Sequence, residues 1–335
     1  MLSHFGWRIV IGIALLALAS ACGGSGAAPE RSRAGLDGPD VRAALNAIGA
    51  DRIRQHMATL ADDALEGRGL GTPGYEGALR YVETTLKSLG VEPAGEGGGF
   101  RQRVPLRNST VVEDASSMKV TSRAGAKTLA YGVDYLLGGD HLREQVTVEN
   151  APVAFVGYGV SAPALGYDDY ASAGSLEGKV VAYLSGAPPS LPSNERAYFS
   201  SGAVKDAEAV KRGAIGTISF TSPDDPRFRW DVSVATSKQG GYAWVDAQGN
   251  PNRGDPALRG SASLNHSGVA ALFAGAPTPA ADVFAAAAKS TPQAFPLATR
   301  VSLVTKSTHT DVESANLVAR LEGSDPALKN EHVVY

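Results

Sequence analysis

The chain has 335 residues, 43% hydrophobic and 19% charged, enough apolar surface for a substantial core and, at about 100 to 200 residues per domain, for two domains. Lys and Arg total 31 against 34 Asp and Glu, a net charge of -3 that offers no bulk attraction for nucleic acid. A single cysteine excludes an intramolecular disulfide and every multi-cysteine zinc or iron–sulfur site.

In chain order, His4 and Arg8 precede an apolar run from Ile9 to Leu18, and small residues Ala19, Ser20 and Ala21 stand directly before Cys22. A basic end, a short apolar core and a small-residue cleavage site form an export signal over residues 1–21. The run is too short for the roughly 20 residues that span a bilayer. Residues 22–50 open with a small, polar, aperiodic stretch, as expected of a tether.

From Asp51, the apolar residues Ile53, Met57, Leu60 and Ala64 recur at helical spacing, with Asp51 as the expected N-cap. A glycine-rich stretch over residues 66–74 breaks this helix. A second helix places Tyr75, Leu79, Val82, Leu86 and Leu89 on one face and stops at Gly90. Strands are expected over residues 100–106, 117–122, 152–158, 179–184 and 215–220, with one helix over 202–212 whose apolar stripe is Val204, Ala207 and Val210. Residues 221–265 read as a long loop, and residues 269–289 as two short helices divided by Pro277 and Pro279. Three strand-like runs end the chain, over 299–305, 315–321 and 331–335.

Four patterns carry possible chemistry. Gly69, Gly71 and Gly74 match a dinucleotide fingerprint as a string, but follow a helix rather than a strand and enclose Pro73, so a tight interhelical loop is expected. His309 and Asp311 would share one face of a strand, yet a hydrolytic metal site needs three or more converging ligands. The other histidines considered, His56, His141, His266 and His332, stand isolated in the sequence. Asp168 and Asp169 are adjacent and point apart, which favours a loop capping its own amides over paired acid–base catalysis. No Gly-x-Ser-x-Gly elbow is present. Chemistry alone assigns no catalytic and no metal residue.

Resemblance adds to this reading at both ends. The segment from Leu18 to Cys22 resembles a bacterial lipobox, which implies a lipidated Cys22 at the mature N-terminus. Because Gly23 is not the Asp that usually retains such lipoproteins in the inner membrane, the resemblance implies an exported, outer-membrane-anchored lipoprotein facing the periplasm or cell surface.

The strings Leu60 to Tyr75 and Leu89 to Pro93 resemble the first helices of secreted zinc aminopeptidases, relatives of aminopeptidase Y, bacterial leucyl aminopeptidases and glutamate carboxypeptidase II. Phe100 to Gln102 resembles that family's first sheet strand. The middle, with Phe155 to Gly159, Tyr167 to Tyr170 and Leu176 to Val181, is similar to an inserted protease-associated domain. Ser314 to Ala319, Gly323 to Pro326 and Glu331 to Val334 resemble the return into the catalytic sheet.

The resemblance implies an α/β fold: the N-terminal part of a zinc-exopeptidase domain over residues 51–130 and 299–335, interrupted by a β-rich insert over 131–298. It implies peptide or protein substrates, hydrolysis by two zinc ions, and a membrane contact through the lipid alone. In that family the strand resembling Glu331 to Tyr335 leads into a His-x-Asp-His segment, and the remaining ligands and general base lie further on. The expectation is therefore a chain that is inactive alone and binds no zinc. The competing expectation is a lipid-anchored module that captures peptides or proteins without catalysis.

Overall fold

The computed structural model describes residues 38–334; the export signal, Cys22 and Gly23 lie outside them. The chain divides between residues 62 and 63 into two compact units. In the first, α1 spans Pro39–Asn46 and α2 spans Ala50–Leu60. Gly49, extended, is the N-cap of α2, and the expected cap Asp51 sits in the first turn, where it pairs with Arg54 at 2.6 Å. Neither helix buries a residue.

The second unit opens with a 3-10 segment, Asp63–Arg68, and then α3, Pro73–Ser88. Thr72 caps α3 by accepting from the Tyr75 amide, Pro73 is preset for the first turn, and Gly90 at φ +69 follows the last turn. The expected interhelical loop is present, and Gly74 is required in it because a Cβ there would run into the Leu65 carbonyl. The strands that follow are β1 (Glu92–Pro93), β2 (Arg101–Val111), β3 (Ser117–Ser122), β4 (Gly125–Thr128), β5 (Tyr135–Leu137) and β6 (Gln145–Phe155). Next come β7 (Ser161–Ala162), β8 (Tyr167–Asp168), β9 (Val180–Leu184), α4 (Ser193–Phe199), α5 (Gly202–Lys211) and β10 (Gly216–Phe220). After α6 (Trp230–Ser237), β11 (Gly241–Trp244) and β12 (Ser261–Leu264) come α7 (His266–Leu272), α8 (Ala280–Ala288), β13 (Phe295–Leu317) and β14 (Ala319–Arg320).

Ten strands form the main sheet, in the order β11-β2-β13-β6-β9-β10-β12-β5, with β3 added on β13 and β4 on β3. The segment β6-β9-β10-β12 is parallel, and the other pairings are antiparallel. The fold is mixed α/β. Side chains alternate across the sheet as period two demands: Phe155, Ala182, Ile218 and Leu264 enter a core under α7 and α8, while Ala154, Val181 and Tyr183 pack against Ala209 of α5 on the other face. Helices on both faces suit a parallel sheet, whose strands are buried on two sides.

Three sequence expectations are corrected. The 221–265 loop contains α6, β11 and β12: α6 has no apolar stripe to reveal it, and β12 reads Ser-Ala-Ser-Leu, with little side-chain contrast. The first two terminal runs fuse into one 23-residue strand, β13, because β3, β6 and β2 pair with successive parts of it. Glu331 to Val334 form no strand and are exposed; a strand needs a neighbour to satisfy its ladder, and none pairs with them.

Residues 63–335 form one compact unit, and β13 runs unbroken through the 298/299 position. The strand beginning near Phe100 and the strand containing Asn316 lie side by side in one sheet, as expected.

Candidate functional site

Helix α5 follows β9 and α4 in the chain. The buried stripe is Lys205 and Ala209, four residues apart, rather than Val204, Ala207 and Val210. Lys205 is 1% exposed. Its ammonium donates to the Leu184 carbonyl at 2.7 Å and to the Gly186 carbonyl, just past the end of β9, and lies 5.0 Å from the Tyr183 ring centre and 6.0 Å from that of Tyr158.

Two carboxylates stand close by. Asp206 accepts from the Tyr183 hydroxyl at 2.9 Å. Asp169 accepts from the amides of Tyr158 and Val160, both at 3.0 Å, and from the Tyr167 hydroxyl at 2.7 Å. Burial pulls the Lys205 amine down to about 7, against the pull of both carboxylates, and pushes Asp169 up to about 6. Burial also raises Asp206. A near-neutral amine can serve catalysis, but this one is sealed and spends its protons on two backbone carbonyls. Its role is to clamp the turn after β9.

Asp168 and Asp169 both cap amides, as the sequence suggests: Asp168 Oδ1 accepts from Tyr170 at 3.0 Å. His309 and Asp311 do not converge on a common point. The His309 Nε2 lies 2.7 Å from the Asp140 carbonyl, while Asp311 accepts from Arg107 at 3.2 Å. Among the described residues, no three His, Cys, Asp or Glu side chains are grouped to hold a metal ion. The residues present do not fit the zinc that the resemblance implies, and no zinc chemistry is assigned to them.

A cavity of about 610 Å³ opens on the α5 side of the sheet, bounded by Ser109 of β2, the Gly138 to His141 loop, Gly240 and Gly241, Arg253 to Asp255, Ser261, and Ala203 and Ala207 of α5. One buried polar atom without a hydrogen-bond partner, His141 Nδ1, belongs to a residue of its lining. Sequence reasoning missed this place because its walls come from segments about 150 residues apart; His141, isolated in sequence, was the only hint. A second cavity of about 470 Å³ lies beyond the carboxyl ends of β9, β10 and β12, lined by Ser185, Thr221, Arg227, Trp230 and Leu264.

No family model and no curated protein matches the sequence. Among solved structures, an aminopeptidase from Aneurinibacillus sp. strain AM-1 is similar, at 15% identity and a TM-score of 0.38, over 81% of this chain and 49% of that one. BSAP, a zinc aminopeptidase from Bacillus subtilis, is similar at 12% identity and a TM-score of 0.31, over 81% of this chain and 47% of its own. The chain thus spans about half the length of these structures. At these scores the likeness does not place the chain in their fold.

Proposed function

We propose that this chain is the N-terminal portion of an exported zinc aminopeptidase, with its metal ligands and general base encoded beyond residue 335. Its own residues supply no catalytic group. Residues 131–298 act as the inserted protease-associated domain, peptides or proteins are the substrates, and a lipid on Cys22 anchors the protein to the outer membrane.

The strings at both ends of the chain support this reading, and the thin cover over helix α3 carries it. After α3 comes Leu89, 65% exposed, and after β14 comes Leu321, 83% exposed. Helix α3, 16 residues long, buries only Gly74. Amphipathic helices normally place their apolar stripe against further protein. More of the same α/β domain would supply that cover.

Reading the coding sequence past codon 335 in all three frames tests the proposal. An encoded His-x-Asp-His segment supports it. A clean stop followed by an unrelated gene overturns it and favours a lipid-anchored module that captures peptides, a reading to which the 610 Å³ cavity lends weight.

A further inference from the structure

The 470 Å³ cavity lies where the parallel strands β9, β10 and β12 end: Ser185 follows the first, Thr221 follows the second and Leu264 closes the third. Open α/β sheets bind their ligands outside the carboxyl ends of the strands, and the volume falls within the range of about 300 to 1,000 Å³ usual for small-molecule sites. Hydroxyls dominate the lining, from Ser185, Ser200, Ser219, Thr221, Ser233 and Ser263. Each combines one donor with two acceptor positions. Ser219 Oγ and Ser263 Oγ stand 2.9 Å apart, so one donates to the other and the accepting hydroxyl keeps its own proton. Ser200 and Ser233 donate to the Arg196 and Arg229 carbonyls, at 2.7 and 3.2 Å, which leaves both oxygens as acceptors.

Charge in the lining is cancelled locally. Its charged side chains are Asp225, Arg227 and Arg229. Arg227 donates Nε and Nη2 to the two Asp225 oxygens at 3.0 and 2.8 Å, and Arg229 grips Asp231 in the same way at 3.1 and 2.8 Å. The hydrogen bonds from Arg227 hold the Asp225 carboxyl below the usual carboxylate range, so this pair stays ionised and neutral in sum. A bound anion would meet a carboxylate beside each guanidinium. A neutral hydroxyl group meets no such conflict, because each paired guanidinium keeps three N–H groups and each carboxylate keeps free lone pairs.

The rest of the wall is aromatic and already fixed in place. Phe228 lies against the His266 ring at 4.6 Å between centres, and 6.3 Å from Trp230 with the two planes 32° apart. Trp230 is pinned by Nε1, which donates to the Gly132 carbonyl at 2.8 Å. Side chains held in advance lose little freedom on binding. Strands β9, β10 and β12 each have a strand on both sides, so none offers the free ladder with which an extended peptide pairs. We propose that this cavity binds a neutral saccharide, with a C–H face of the sugar ring on Phe228 and Trp230 and its hydroxyls on the surrounding serine and threonine side chains. A sugar matches the wall on each count: it is uncharged, its hydroxyls both donate and accept, and its ring faces are apolar.

The test is titration of the full chain with cellobiose, maltose and chitobiose, and with Ala-Ala-Ala beside them, followed by calorimetry and tryptophan fluorescence. At least one of the sugars should bind, with an affinity that stays the same between about 50 and about 500 mM salt because no net charge is engaged. Ser263→Ala removes one exposed hydroxyl, so it should keep the thermal midpoint and weaken that sugar about threefold to tenfold. Trp230→Ala should weaken it about tenfold or more, and Trp230→Phe, which keeps an aromatic face, should restore most of the loss. No binding of any of the three sugars, an affinity that falls steeply with salt, or unchanged affinity in either folded alanine variant overturns the assignment. So does tighter binding of Ala-Ala-Ala that Trp230→Ala abolishes. The titration needs no turnover and does not rest on the peptidase reading, so failure of either leaves the other standing.

Discussion

Gln102 of β2 stands directly opposite Asn316 of β13, and the Asn316 amide donates to the Gln102 side-chain oxygen at 3.1 Å. The ladder continues without a break from Arg101 opposite Leu317 to Val111 opposite Ser307. Everything between these strands therefore leaves and returns at one place. The two strands form one antiparallel ribbon. Tyr75 of α3 reinforces the ribbon by donating to the Ala315 carbonyl at 3.1 Å.

The start of α3 gives the first prediction. Since a Cβ at Gly74 would meet the Leu65 backbone, Gly74→Ala should destabilise the second unit by about 1 to 3 kcal/mol through overpacking. Gly67 has nothing within 4 Å of an added Cβ but sits at φ +73, so Gly67→Ala should cost only about 1 kcal/mol. Urea melts of both variants check the order, and an equal loss would remove the close-approach argument.

Adjacent carboxylates should differ sharply. Asp169→Ala strands a buried and a half-buried amide and a tyrosine hydroxyl and should cost about 2 to 4 kcal/mol. Asp168 is exposed and caps one amide, so Asp168→Ala should cost less than about 1 kcal/mol. Comparable melting temperatures for the two variants would contradict the assignment.

Lys205 should leave a signature in the pH dependence of stability. Its folded pKa is lowered from 10.5 to about 7, so between those values the unfolded chain holds a proton that the folded chain has released, and stability rises with pH. Asp169 is raised from 3.8 to about 6, so across that window the folded chain holds the extra proton and stability falls as pH rises. Lys205→Ala should abolish the rise above pH 7 and, by orphaning the Leu184 and Gly186 carbonyls, lower stability by about 3 kcal/mol at neutral pH. Urea melts from pH 4 to 9 separate the two windows. An unchanged slope above pH 7 in the variant would show that Lys205 is not the titrating group.

How much of this was legible in the sequence follows from what sequence patterns encode. Helix α3 announced itself because its caps, Pro73 and apolar spacing all agree. Strand β3 was placed to the residue because turns flank it on both sides. Strand β12 was invisible because its hydrogen bonds to Thr217 and its neighbours, not its own Ser-rich side chains, hold it. Lys205 reads as a surface residue of a helix, and only the fold brings the Leu184 and Gly186 carbonyls to it. The 610 Å³ cavity is walled by distant segments, among them His141, Gly241 and Arg253, for which no local spacing exists.

The lipid anchor is tested by Cys22→Ser. The variant should leave the membrane fraction after cell breakage and float free of lipid in a density gradient. Unchanged partitioning would argue against lipidation at Cys22.

The most direct measurement on the central claim is zinc content after dialysis, together with leucine-anilide turnover, on this chain as it stands. The account predicts no stoichiometric zinc and no turnover, since the ligands and base are proposed to lie beyond residue 335. Two zinc ions per chain with hydrolysis abolished by a chelator would contradict it, and would make His309 and Asp311 the first residues to replace.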